Sequence, residues 1–141
     1  MNDSDPSALR KVYFDAWQKA QENLPLSALE TMIVDIIQRH PEYHPIFDEP
    51  KNFNSLQDER FQLDHNPFFH LALHVTVVEQ VNANRPGGIR KLYEQLLKKS
   101  GDKTETEHRI MGCLAKILKE SFLRDEAANE QLYLKAIRRL L

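Results

Sequence analysis

Apolar residues recur along most of the chain at the three- and four-residue spacing of an amphipathic helix, and six segments follow that rule. The first runs from about Ser7 to Glu22. It places Leu9, Val12, Tyr13, Ala16, Trp17 and Ala20 on one face, with Arg10, Lys11, Asp15, Gln18 and Lys19 elsewhere, and Pro25 punctuates it. The second opens at Ser27, which forms an S-x-x-E capping box with Glu30, and turns Leu29, Met32, Ile33, Ile36 and Ile37 inward. Pro41 stops it, because proline has no amide donor and disfavours helix in the residue before it.

The third segment opens at Asn66-Pro67, an N-cap followed by proline at the first helical position. It continues to Val81 apolar nearly all round, which predicts the most buried element. Its β-branched residues suit a strand, but a capped run of about 15 residues is far longer than the five or six of an average strand. After the turn Asn84-Arg85-Pro86-Gly87-Gly88, a fourth helix carries Ile89, Leu92, Tyr93, Leu96 and Leu97 and closes at Gly101. A fifth, from Thr104, turns Met111, Leu114, Ile117, Leu118 and Phe122 inward. The last, about Asn129 to Leu141, does the same with Leu132, Tyr133, Ala136, Ile137 and Leu140.

From His44 to His65 no period is sustained. Pro45, Pro50, Asn52, Asn54 and Asp58 break any element, while Phe47, Phe53, Leu56, Phe61 and Leu63 recur as anchors. A connection of that length is either functional or hides a further element, and the anchors predict a packed one. The expected fold is an all-α, compact helical bundle of five to six helices with one long irregular connection, residues 44–65, in a single domain, residues 1–141.

Composition narrows the function more than the fold. A chain of 141 residues can bury roughly 70% of its unfolded surface, so it needs no staple. Lys and Arg total 19 against 21 Asp and Glu, which is no nucleic-acid footprint. Lys135, Arg138 and Arg139 read as cations complementing the end of the last helix. Cys113 is the single cysteine, which excludes an internal disulfide and a cysteine-rich zinc site. It stands at the edge of its helix's apolar face and reads as a packing residue.

Residues Met1 to Pro6 are acidic and lack the apolar run of a secretory signal, and no stretch approaches the roughly 18 apolar residues of a membrane span. A cytoplasmic location is expected, with no membrane partner and a homodimer left open. Pro86-Gly87-Gly88 is a turn and not a phosphate loop, so no nucleotide cofactor is indicated, and no serine stands in a nucleophile elbow.

The chemistry concentrates in the histidines, all six of which lie between positions 40 and 108. His70 and His74 are four apart on one predicted helix, about 40° apart around its axis, so both imidazoles can aim at one metal ion. Leu71 stands where a zincin carries its glutamate, so that protease chemistry is not indicated. Structural core histidines bonded to carbonyls or carboxylates are the alternative. Glu79 lies roughly 140° round the helix from His74 and is excluded.

A third ligand can come from His108, Glu107 or His44. Glu107 projects toward the middle of the stripe Met111, Leu114 and Leu118, with His108 at its edge, although Thr104 to Glu107 also reads as a capping box. His40 sits on the inward stripe of the second helix, before Pro41, where it or His44 can instead meet the helix dipole. His65 reads as a loop residue.

The combination of His40-Pro41-Glu42-Tyr43-His44, Asn66-Pro67-Phe68-Phe69-His70-Leu71-Ala72-Leu73-His74, Glu79-Gln80, Pro86-Gly87-Gly88-Ile89-Arg90 with Tyr93, and Glu107-His108-Arg109-Ile110-Met111 resembles the bacterial DUF1841 family over nearly the whole chain. That resemblance implies a bacterial protein and supplies no mechanism. A looser likeness is to DinB-like and haemerythrin-like bundles, which bind metals through histidines on facing helices.

Two functions follow as expectations. One is a centre holding one divalent ion (zinc, iron, nickel or manganese) through His70, His74 and a third group, open to hydrolase-like or transferase chemistry through a metal-bound water. The other is a non-enzymatic interaction or adaptor domain with buried structural histidines and no metal. A structural metal that staples the 44–65 segment lies between them.

Overall fold

The computed structural model describes residues 6–48 and 67–141, and the described residues form seven α-helices and one 3₁₀ turn, with no strand among them. They are α1 (Pro6–Gln21), α2 (Ala28–Gln38), a 3₁₀ turn (Pro41–Tyr43), α3 (His44–Asp48), α4 (Pro67–Ala83), α5 (Ile89–Ser100), α6 (Lys103–Arg124) and α7 (Glu130–Arg138). The contacts divide the chain into two compact units, one ending at Leu71 and the other running from Ala72 to Leu141. The division falls inside α4, which runs unbroken through it.

In the first unit α1 packs on α2, and α3 packs on α1. Tyr13, Phe14, Ala16 and Trp17 face inward from α1, and Ile33, Val34, Ile36 and Ile37 from α2. Burying the larger of these side chains contributes about 1.5–3 kcal/mol each. The capping box at Ser27 forms as its sequence predicts. The Ser27 hydroxyl accepts from the Glu30 amide (3.1 Å), and the Glu30 carboxylate accepts from the Ser27 amide (2.9 Å). The same carboxylate receives Lys19 at 2.7 Å, tying α2 to α1. This hydrogen bond is the main cause of a carboxyl pKa below its ordinary value.

Helix α3 was not expected. Its five residues occupy the start of a segment that proline and asparagine would break, and they are held by side chains rather than by periodicity. Phe47 is buried against Phe14 with ring centroids 5.0 Å apart. Phe68, on the first turn of α4, meets both rings at 5.9 and 5.6 Å. The Trp17 indole N–H donates to Asp48 Oδ1 at 2.8 Å. The anchors Phe53, Leu56, Phe61 and Leu63, together with His65 and the cap at Asn66, lie outside the described residues.

The second unit is built on local turns. Asn84 ends α4 in the left-handed region (φ 54°), and its side-chain oxygen accepts from the amides of Gly88 (3.2 Å) and Arg90 (3.1 Å) at the start of α5. Gly101 closes α5 at φ 73°, a conformation that glycine adopts without steric cost. Helix α6 packs on α5 and α7. The interior is aliphatic: Ile89, Leu92, Leu96, Ile110, Leu114, Ile117, Leu134 and Ile137, with Met111 and Tyr133.

Four residues expected inside are exposed, Val12 on α1 among them. Leu29 lies on the free first turn of α2. Phe122 (66% exposed) sits near the end of α6, where every residue from 122 to 132 faces solvent. Leu132 closes that same exposed stretch. Periodicity places all four on an inward stripe, but Leu29, Phe122 and Leu132 stand near helix ends and remain exposed. No helix among the described residues is long and apolar enough to cross a membrane.

Candidate functional site

Helix α4 carries His70 and His74 one turn apart on one face, and each unit supplies its own histidine with further partners. In the first unit that partner is His40. It follows the last turn of α2, is buried, and its Nδ1 lies 2.7 Å from the Ile36 carbonyl. A carbonyl only accepts, so Nδ1 carries the proton. In the neutral imidazole the lone pair therefore sits on Nε2. That nitrogen stands 3.0 Å from Nε2 of the half-buried His70. Tyr43 stacks on the His40 ring at 5.4 Å and 10°, and meets His70 edge-on at 5.9 Å. Burial, and secondarily the charge of Glu42, push the Tyr43 phenol pKa up.

In the second unit His74 is fully buried. Its Nε2 lies 2.7 Å from Oε1 of Glu107, which is 3% exposed, so the imidazole donates and the carboxylate accepts. The ring of His108, half-buried on the next position of α6, meets His74 edge-on at 4.9 Å. Glu107 does not serve the cap, because the N-cap of α6 is Asp102, two residues before the predicted Thr104. The Asp102 side chain accepts from the Glu105 amide at 3.1 Å. The capping-box reading of Thr104 to Glu107 is thereby corrected, since with Asp102 as cap it is Glu105, and not Glu107, that occupies the third position.

Of the residues singled out by sequence, the structure sets His70 beside His40, and His74 beside Glu107 and His108. His44 is engaged elsewhere in the first unit: its Nε2 donates to the Ile37 carbonyl at 2.9 Å, and its ring lies 4.9 Å from that of Trp17. His40 is the residue that sequence reasoning underrated. The available signal was its place on the Ile33–Ile36 stripe. Its backbone, however, has already left the helix (φ −125°, ψ 72°), so the wheel could not tell where the ring would go. Glu79 is exposed.

Other chemistry is thin. Burial raises the pKa of the Cys113 thiol and keeps it protonated, the opposite of an activated nucleophile. A groove of about 460 Å³ in the second unit is lined by aliphatic groups of α4 and α6, including Leu73, Leu114 and Ile117, and by Tyr133 of α7. The Tyr133 hydroxyl donates to Gln80 Oε1 there at 2.7 Å, and its pKa is raised by burial and by Cys113. No residue lining that groove pairs a nucleophile with a base.

Fold and side chains together define an all-α protein with paired imidazoles, each of the two buried ones held through one ring nitrogen. The chain belongs to the DUF1841 family, a domain of unknown function, which it matches over residues 5–139. No curated protein and no solved structure matches it significantly.

Proposed function

We propose that this protein binds a divalent transition-metal ion through imidazole nitrogens presented by α4, with His40 beside His70 in the first unit and His108 beside His74 in the second. The His40–His70 pair carries the reading. Two ligands of a tetrahedral ion with bonds of about 2.0–2.1 Å stand about 3.3 Å apart, and the two Nε2 atoms stand 3.0 Å apart. His40 is also in the tautomer that ligation requires, its other nitrogen spent on a backbone carbonyl as in established metal sites. Each of the four histidines can offer one ring nitrogen to an ion.

An all-imidazole set suits zinc, nickel, iron or copper rather than magnesium or calcium, which prefer oxygen donors. A zinc ion closed in by four protein ligands is structural. A six-coordinate iron, nickel or manganese ion would keep positions for water. Hydrolysis through a metal-bound hydroxide belongs to that second case.

The test is elemental analysis of untagged protein purified without chelator, beside His70→Ala/His74→Ala. Roughly one equivalent per chain, lost in the double variant, is the expected result. Wild-type protein that takes up none of zinc, nickel, iron or manganese on titration overturns the reading. It would leave the histidines as structural hydrogen-bonding groups of an interaction domain.

A further inference from the structure

The geometry points to Nδ1 as the atom through which His74 ligates, with Glu107 the positioning residue that selects it, whereas in the first unit the Ile36 carbonyl leaves Nε2 of His40 to ligate. The inference rests on the metal-centre reading above and adds which atom binds and what selects it. A neutral imidazole has one donor and one acceptor nitrogen, and the partner of one decides the role of the other. The Glu107 carboxylate takes Nε2–H of His74 at 2.7 Å, so the lone pair of that ring is on Nδ1. The Ile36 carbonyl takes Nδ1–H of His40 at 2.7 Å, so there the lone pair is on Nε2.

Nδ1 is the nitrogen nearer the backbone. A histidine that ligates through it needs the ion close to its own helix, and its outer nitrogen must be held by something across the packing interface. Glu107 fits that role, being buried on α6 with its carboxylate against the far edge of the ring. A carboxylate hydrogen-bonded to a ligating imidazole fixes its orientation and raises its basicity, and losing such a partner typically weakens metal binding about 10- to 100-fold. The same arrangement explains why an acid that projects into the core of α6 is not itself needed as a ligand.

The experiment uses the full chain, labelled with ¹³C and ¹⁵N and loaded with zinc. The histidine Cδ2 shift and the long-range ring couplings separate Nδ1-bound from Nε2-bound imidazole. The expected spectrum assigns His74 as Nδ1-bound and His40 as Nε2-bound. In Glu107→Gln the amide oxygen still accepts from Nε2–H, so His74 keeps the Nδ1 mode with weaker zinc binding. Glu107→Leu should lose that mode and bind zinc weaker still, with helical circular dichroism retained.

Zinc held by wild-type protein with His74 bound through Nε2 overturns this inference and leaves the metal centre standing. So does unchanged affinity and an unchanged His74 signature in Glu107→Leu. A wild-type chain that binds no zinc overturns both. The wild-type spectrum decides the ligating atom even if Glu107→Leu fails to fold.

Discussion

The two units solve the same problem, a histidine in the core, with different partners. The first holds His40 through a backbone carbonyl; the second holds His74 through the carboxylate of Glu107. A carbonyl of a helix end is a fixed dipole that comes with the fold and survives any substitution of side chains. A carboxylate is a separate commitment, since burying its charge costs several kcal/mol and is repaid only by good geometry. The first unit therefore gains an oriented imidazole cheaply. The second depends on a two-residue device in which each partner needs the other.

That contrast can be broken by substitution. His74→Ala removes a fully buried ring and deprives Glu107 of its imidazole, so it should cost about 3–5 kcal/mol in urea denaturation. His40→Ala strands no carboxylate, only uncovering the Ile36 carbonyl and the neighbouring His70 and Tyr43 rings, and should cost about 1–3 kcal/mol. Equal losses, or a larger one at His40, would show that the two imidazoles are held alike.

A smaller effect sharpens the picture of the first unit. Ser27→Ala opens the capping box and should cost about 1 kcal/mol, read as a lower midpoint at unchanged denaturant slope. The smallest effect concerns pH. The pKa of Glu30 in the folded chain lies below its ordinary value of 4.5, chiefly through the hydrogen bond from Lys19. Its stabilisation is thus present above about pH 4.5 and is lost as the pH falls through the lowered value. Melting curves of Lys19→Met should show a shallower loss between about pH 5 and pH 3 than those of the wild type, with no matching change when Lys11, paired with Asp15 on the exposed face of α1, is replaced instead.

Sequence patterning carried most of the helical order because each boundary had local chemistry behind it: Ser27 with Glu30, Pro41, Asn84, Gly101 and Asn129 all mark ends where the structure has them. It missed α3 because Phe47, Trp17 and Asp48 hold that helix through contacts far apart in sequence. At the site, the pairing of His70 with His74 on one face was legible from spacing alone. The partner of each was not. Glu107 had two plausible roles until Asp102 took the cap, and His40 lies just past a helix end, where the wheel no longer says which way a side chain turns.

Helix α4 also carries a hazard. From Pro67 to Val78 it has no aspartate, glutamate, lysine or arginine, and Val75, Thr76, Val77 and Val78 are β-branched residues that favour extended chain. Outside the folded protein such a stretch is what cross-β aggregates are made from. His70 and His74 are its strongest polar interruptions, placed where gatekeeping residues are useful. Replacing both with alanine removes more than ligands: the newly made chain would have to reach its fold past a longer uninterrupted apolar run. Glutamine at the two positions would take away the imidazoles while keeping a polar interruption in that run.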